Sequence, residues 1–356
     1  MLRIRAQHLY RKAPRGHMVD VVRSLCGINA QSAPAMLLSL RARVEGLVAA
    51  DVALAIGRGR LVRTWAMRGT MHLLAPDDLG WMVSLLGPGI IARGGRRRRE
   101  LGLTDEVLAK SLAALPGILK DGPLARGELV DGLAGRGIVL EAGQAPYHLI
   151  AYAALKGLLR MGPDRPDGGP TYCLTDAGMG GQKTFERGEA LAGLARRYLR
   201  GYGPAAPEDL AAWSGLSRAD ARKGLELAGE KEALEELAIE GHTLWSPAFP
   251  PGAGPIGGQA VRLLPAFDVY ILGYFDREYV VPGKYRREVY HGGQTVPVVL
   301  VDGLAAGVWR YERRGQKMDV KIKLFKPLGE RAKGLIGGEV EDIGRFFGVS
   351  ASLFYI

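Results

Sequence analysis

Apolar residues recur at three- and four-residue intervals over residues 17–26, where Met18, Val21, Val22 and Leu25 fall on one helical face. Gly27 closes that stretch. Ile28-Asn29-Ala30-Gln31 follows, and Pro34 then opens a second helical run, PAMLLSLRARV. VAADVALAIGRG is a third and ends in glycines. LVRTWAMRGTMHLLAP next alternates apolar and β-forming residues about Arg68-Gly69, the pattern of two short strands joined by a tight turn. Three helices followed by a hairpin is the order of a winged helix.

The order recurs. EVLAKSLAALPGILK predicts a helix that Pro116 ends or kinks, LARGELVDGLAGRG a short helix, HLIAYAALKGLLR a third, and TYCLTD a strand. In the next pass ALAGLARRYLRGY, APEDLAAWSGL and SRADARKGLELAG are helical and EELAIEGHTLWSP is strand-like. In both copies Gly-Pro breaks one helix before a short helix follows, the device of a helix-turn-helix. Residues 247–258, PAFPPGAGPIGG, read as a linker. Beyond it, VRLLPAFDVYILGYFDREYV, TVPVVLVDGLAAGVWRYERR and KMDVKIKLFKP are strand-like, with a hairpin signal at Asp302-Gly303 and a closing helix around 328–347. The expected fold is therefore α+β: winged-helix units at 1–100, 101–180 and 181–250, then a β-rich, barrel-like domain at 259–356.

Charge narrows the function. The 356-residue chain carries a net charge of +11, and the physical partner of such an excess is a polyanion. No segment has the length and apolarity of a transmembrane helix, and the basic N-terminus lacks the apolar core of a secretory signal, so a cytoplasmic protein is expected. The two cysteines, Cys26 and Cys173, are far apart in sequence, and the histidines are scattered. Neither a disulfide framework nor a metal site is expected. Dinucleotide, P-loop, HExxH and GxSxG signatures are absent. Without a long heptad repeat, a monomer is expected.

Three segments offer binding or chemistry. The run RGGRRRRE places Arg96, Arg97, Arg98 and Arg99 in a dense positive loop able to neutralise phosphates, or in a merely solvated linker. In the hairpin, Arg63, Arg68 and His72 are candidates for phosphate or groove contact and Trp65 for stacking or wedging, while a core role suits Trp65 and His72 equally. Asn29 and Gln31, at alternate positions, face one side of an extended segment. Two uncharged carboxamides there suit orienting a water or reading a base edge, and they also suit capping or turn chemistry ahead of Pro34.

Four segments together resemble the AlkZ-like winged-helix DNA glycosylases: GINAQSAPAMLLSLRARV, VRTWAMRGTMHLLAPDDL, RRYLRGYGPAAPEDLAAWSGLSRADAR, and LLPAFDVYILGYFDRE with VLVDGLAAGVWR. The resemblance implies a concave basic channel for double-stranded DNA and cofactor-free excision of N7-alkylated purines, including bulky adducts or crosslinks. Arg277, in the last of these segments, is a further nucleic-acid-binding candidate. The family's motif is Gln-aliphatic-Gln, and the matching triplet here is Asn29-Ala30-Gln31. Gln31 matches the second Gln, and Asn29 keeps the first carboxamide but is one methylene shorter, a displacement of roughly 1.5 Å. The resemblance implies that Gln31, assisted by Asn29, positions water. The competing reading is a non-catalytic regulator or damage sensor.

Overall fold

In the computed structural model the described residues are 1–140, 143–165, 167–175, 186–239, 241–248 and 257–356. Most of the expected linker at 247–258 lies outside them. The N-terminal elements follow the expected order: α1 (Leu2–Ala6), α2 (Met18–Ser24), β1 (Ile28–Asn29), α3 (Ala33–Arg41), α4 (Ala49–Gly57), β2 (Val62–Trp65) and β3 (Met71–Leu74). α5 (Pro76–Arg93) and α6 (Gly95–Glu100) come next. The arginine run, expected as a loop, is thus helical. Arginine favours helix, and Glu100 gathers Arg96 at 2.9 Å and Arg97 at 3.3 Å from one turn away.

The middle of the chain forms α7 (Asp105–Ile118), β4 (Leu124–Ala125), α8 (Arg126–Ala134), α9 (Ala145–Leu155), β5 (Leu159–Met161) and β6 (Thr171–Leu174). α7 ends two residues past Pro116. The first two segments share one sheet of order β1-β3-β2-β5-β6-β4, joined where Arg63 of β2 pairs with Met161 of β5. α10 (Arg187–Tyr202), α11 (Pro207–Ser214) and α12 (Arg218–Gly229) precede a separate hairpin of β7 (Leu234–Ile239) and β8 (His242–Pro247).

The C-terminal part contains β9 (Val261–Leu264), α13 (Val269–Leu272), α14 (Arg286–Val289), β10 (Tyr290–His291), β11 (Gln294–Thr295), β12 (Val298–Val301), β13 (Leu304–Arg314), β14 (Lys317–Leu324), α15 (Glu330–Phe347) and β15 (Ser350–Tyr355). The Asp302-Gly303 turn joins β12 to β13 with positive φ at both residues, as the sequence signal requires. VYIL at 269–272 is helical instead of extended, because Asp268 accepts the Tyr270 N–H at 2.9 Å and starts a turn. No closed barrel forms among the described residues. The sheet is open, in order β15-β14-β13-β12-β9. β14 and β15 are parallel, and α15, the crossover between them, packs Ala332, Ile336, Val340 and Ile343 on the sheet.

The first, third and C-terminal parts share one core, while the apolar residues of the middle part form two further clusters, one of them joined by Trp65. One apolar cluster gathers Ile4, Val22, Leu40, Leu199, Tyr274 and Phe346. Buried ion pairs cross it: Arg43 with Asp268 at 2.8 Å and Arg41 with Glu339 at 2.9 Å. No helix among the described residues is long and apolar enough to cross a membrane.

Candidate active site

Gly27 turns the chain from α2 into β1 at φ +110°, a conformation that other L residues rarely adopt. A Cβ there would stand 2.6 Å from Leu74 Cδ2 and 3.0 Å from the Leu73 carbonyl oxygen. Glycine therefore lets β1 lie against β3. Ile28 pairs with Leu73 and Asn29 with His72, and Ala30 N–H donates to the Met71 carbonyl at 2.8 Å. β1 is the edge of the sheet, and Gln31 stands just beyond it, exposed.

Directly opposed residues in neighbouring strands share a face. His72 opposes both Asn29 of β1 and Thr64 of β2, so Thr64, His72 and Asn29 form a polar row across three strands. All three are buried, Asn29 at 4% exposure and His72 at 2%. Thr64 Oγ1 has no hydrogen-bond partner among the described residues. At the outer end, Asn29 Nδ2 donates to Gln31 Oε1 at 3.0 Å, and the Gln31 backbone N–H donates to Asn29 Oδ1 at 3.1 Å. The first bond holds the Gln31 carboxamide, and the second its backbone, at the mouth of the row. One Oε1 lone pair and both Nε2 hydrogens remain for a ligand or water. The bond from Gln31 N–H is turn chemistry of the Asx kind. The cap of α3, however, is Ser32, whose Oγ accepts from Ala35 N–H at 3.4 Å.

His72 is neutral. Burial first, and then the charge of Arg68, push its pKa down from 6.5 to about 3. Nδ1 lies 2.9 Å from the Thr70 carbonyl. A carbonyl only accepts, so Nδ1 holds the proton and Nε2 the lone pair. The neutral Nδ1–H tautomer therefore persists from pH 5 to 8, which ¹⁵N-resolved NMR of the imidazole would register. A titration midpoint near 6.5 would overturn this. Because the folded pKa lies below the unfolded one, the stability His72 contributes is full above about 6.5 and is lost as pH falls from there toward about 3.

The other hairpin candidates point elsewhere. Arg63, expected at a phosphate, is buried and donates to Asp164 Oδ1 at 2.5 Å. Trp65, expected to stack or wedge, lies in the core, stacked with Tyr172, its Nε1 donating to Tyr147 Oη at 3.2 Å. His72, buried and uncharged, likewise presents nothing to a phosphate. These strands carry apolar residues on both faces, so the alternate positions of Arg63 and Trp65 are enclosed as well. Arg68 occupies the turn at φ +56° and donates to the Trp213 carbonyl. Arg96, Arg97 and Arg99 are exposed on α6; Arg96 and Arg97 are paired with Glu100, and Arg97 also reaches Gln144 at 3.0 Å. Arg98 folds back on the Ile91 carbonyl at 2.5 Å and over the Tyr152 ring. Arg277 lies over the Tyr290 ring, 4.5 Å from its centre, in a cleft with Phe275, Arg286 and Arg287. Sequence reasoning passed over these last three and Thr64. Thr64 is marked only by strand register, and Phe275 only by its exposure.

The model of the family "DNA glycosylase AlkZ-like" matches residues 22–346. An interstrand DNA cross-link repair glycosylase of Streptomyces sahachiroi is 30% identical over 305 residues, 82% of this chain and 81% of that protein. The solved structure of the S. sahachiroi DNA glycosylase AlkZ superposes with a TM-score of 0.81 at 28% identity, covering 100% of this chain and 97% of the other.

Proposed function

The chain belongs to the AlkZ-like DNA glycosylase family, and from that premise we propose that it hydrolyses the N-glycosidic bond of N7-alkylated purines in double-stranded DNA, bulky adducts and interstrand crosslinks among them. Its activity class is that of a DNA glycosylase. In this proposal the segments 1–100, 101–180 and 181–250 act as winged-helix units and, with 259–356, line the DNA channel.

The observation that carries the reading is the locked carboxamide pair, Asn29 buried and Gln31 exposed, at the edge of the sheet. An N7-alkylguanine already bears a positive charge. Its C1′–N9 bond breaks with the electron pair going to the base, which leaves neutral, and the sugar becomes oxocarbenium-like. Water then bonds to C1′ and its proton passes to solvent. No strong acid is required, and the protein's task is to hold the water and stabilise the sugar cation. Gln31 Oε1 accepts from that water, and Asn29 fixes the Gln31 carboxamide through Nδ2.

The test is incubation with duplex DNA carrying N7-methylguanine or a bulky N7-guanine adduct, followed by alkaline cleavage at abasic sites. Strand breaks are expected. Tight, salt-sensitive binding without breaks on either substrate would favour the damage-sensor reading, in which the shortened Asn29 disables the site.

A further inference from the structure

The chain leading into Phe275 is anchored, yet its ring faces solvent. Tyr274 is buried, its hydroxyl donating to the Tyr202 carbonyl at 3.0 Å. Phe275 N–H donates to Asp209 Oδ1 at 2.8 Å. Asp209 is itself buried and held by the Ala206 N–H at 2.9 Å. Phe275 is nevertheless 61% exposed. Phenylalanine is ordinarily interior, so a fixed loop that presents one outward calls for something to cover it.

The ring stands at an open cleft of about 340 Å³ shared with Arg277, Arg286, Arg287 and Tyr290. Arg277 is braced by its Nε bond to the Tyr274 carbonyl at 3.3 Å and by the Tyr290 ring. Arg286 makes only long contacts, 3.4 Å to Asp276 and 3.6 Å to Glu278. Arg287 has no ion-pair partner among the described residues. Three cations against two acids leave the cleft positive. An aromatic face beside guanidinium groups is the pattern that receives a base and its phosphates.

The cleft is linked to the carboxamide site by a chain of contacts through the β2–β3 turn. Arg68 of that turn donates to the Trp213 carbonyl at the end of α11, and α11 is the helix whose Asp209 holds Phe275. Arg68 is also close enough to Arg277 for the two charges to interact. β3 runs from that turn to His72, opposite Asn29.

We propose that Phe275 is a wedge that stacks on a base next to the lesion, while Arg277, Arg286 and Arg287 hold the phosphates flanking that nucleotide. This rests on reading the chain as a DNA glycosylase. The probe is a duplex with a tetrahydrofuran abasic analogue beside 2-aminopurine, which reports unstacking without any base release. Wild-type binding raises the fluorescence. Phe275→Ala abolishes the rise and slows base release from alkylated duplex by roughly ten- to a hundredfold, and Phe275→Trp restores both. Each of Arg286→Gln and Arg287→Gln lowers the log–log salt slope of binding by about 0.9. No fluorescence rise with wild type, or an undiminished rise with Phe275→Ala, overturns the wedge. Unchanged salt slopes overturn the phosphate clamp. If the protein releases no base, the glycosylase reading fails, while fluorescence and salt slopes still decide this proposal.

Discussion

Gln31→Ala lowers base release from N7-alkylguanine duplex DNA by about a hundredfold or more, and leaves affinity for undamaged duplex within about twofold. The asymmetry follows from where the side chain stands. Its carboxamide is exposed and oriented by the bond from Asn29 Nδ2, while its backbone N–H donates to Asn29 Oδ1, so truncation removes the group that orients water and nothing that carries charge. Affinity for duplex comes from cations against phosphates, and Gln31 contributes none. Single-turnover excision and fluorescence anisotropy, run on the same preparations, separate the two quantities. Excision by the variant at the wild-type rate would remove Gln31 from the mechanism. Equal loss of excision and binding would point to a distorted fold instead.

Asp268→Ala costs about 3–5 kcal/mol of folding free energy, far more than any change at the exposed Gln31. The Asp268 carboxylate accepts two hydrogen bonds from Arg43, each 2.8 Å, one from Ser39 Oγ at 2.7 Å and one from the Tyr270 N–H at 2.9 Å. Arg43 is fully enclosed. Its other partners are the Gln7 carboxamide at 2.9 Å and the Ser39 carbonyl and hydroxyl at 3.0 Å each, none of them charged. Removing Asp268 leaves a guanidinium in the interior with no counter-charge. Urea denaturation measures the loss as a lower midpoint. The double variant Arg43→Met with Asp268→Leu recovers most of it, because an apolar pair of similar volume restores a core without a desolvated charge. A loss below about 1 kcal/mol in the single variant would show that solvent reaches the pair.

Much of the element order was legible in the sequence because it is set locally. Helical periodicity marked α2, α3, α4, α10, α11 and α12, and the Asp302-Gly303 signal marked its hairpin. What was hidden is set by distant partners. Trp65 and Arg63 lie in a strand between two others, so alternation did not tell an outward face from an inward one. The arginine run became a helix because Glu100 lies one turn away. The barrel expectation failed because strand content does not say whether a sheet closes. At the candidate site, Asn29 and Gln31 were visible as a spaced carboxamide pair. Their mutual hydrogen bonds, and the row running back through His72 to Thr64, depend on the pairing of β1, β3 and β2 across some forty residues of sequence.

The Arg43–Asp268 pair also sets a schedule for synthesis. Arg43 leaves the ribosome 225 residues before the carboxylate that neutralises it. At ordinary elongation rates this is an interval of roughly ten to fifty seconds. Arg41 waits longer, 298 residues, for Glu339. During that time the nascent N-terminal helices cannot close around their arginines without stranding a charge. The segment bearing the carboxamide pair therefore reaches its final packing only when the C-terminal part arrives. A chain released early would expose unfinished apolar surface to chaperones and proteases.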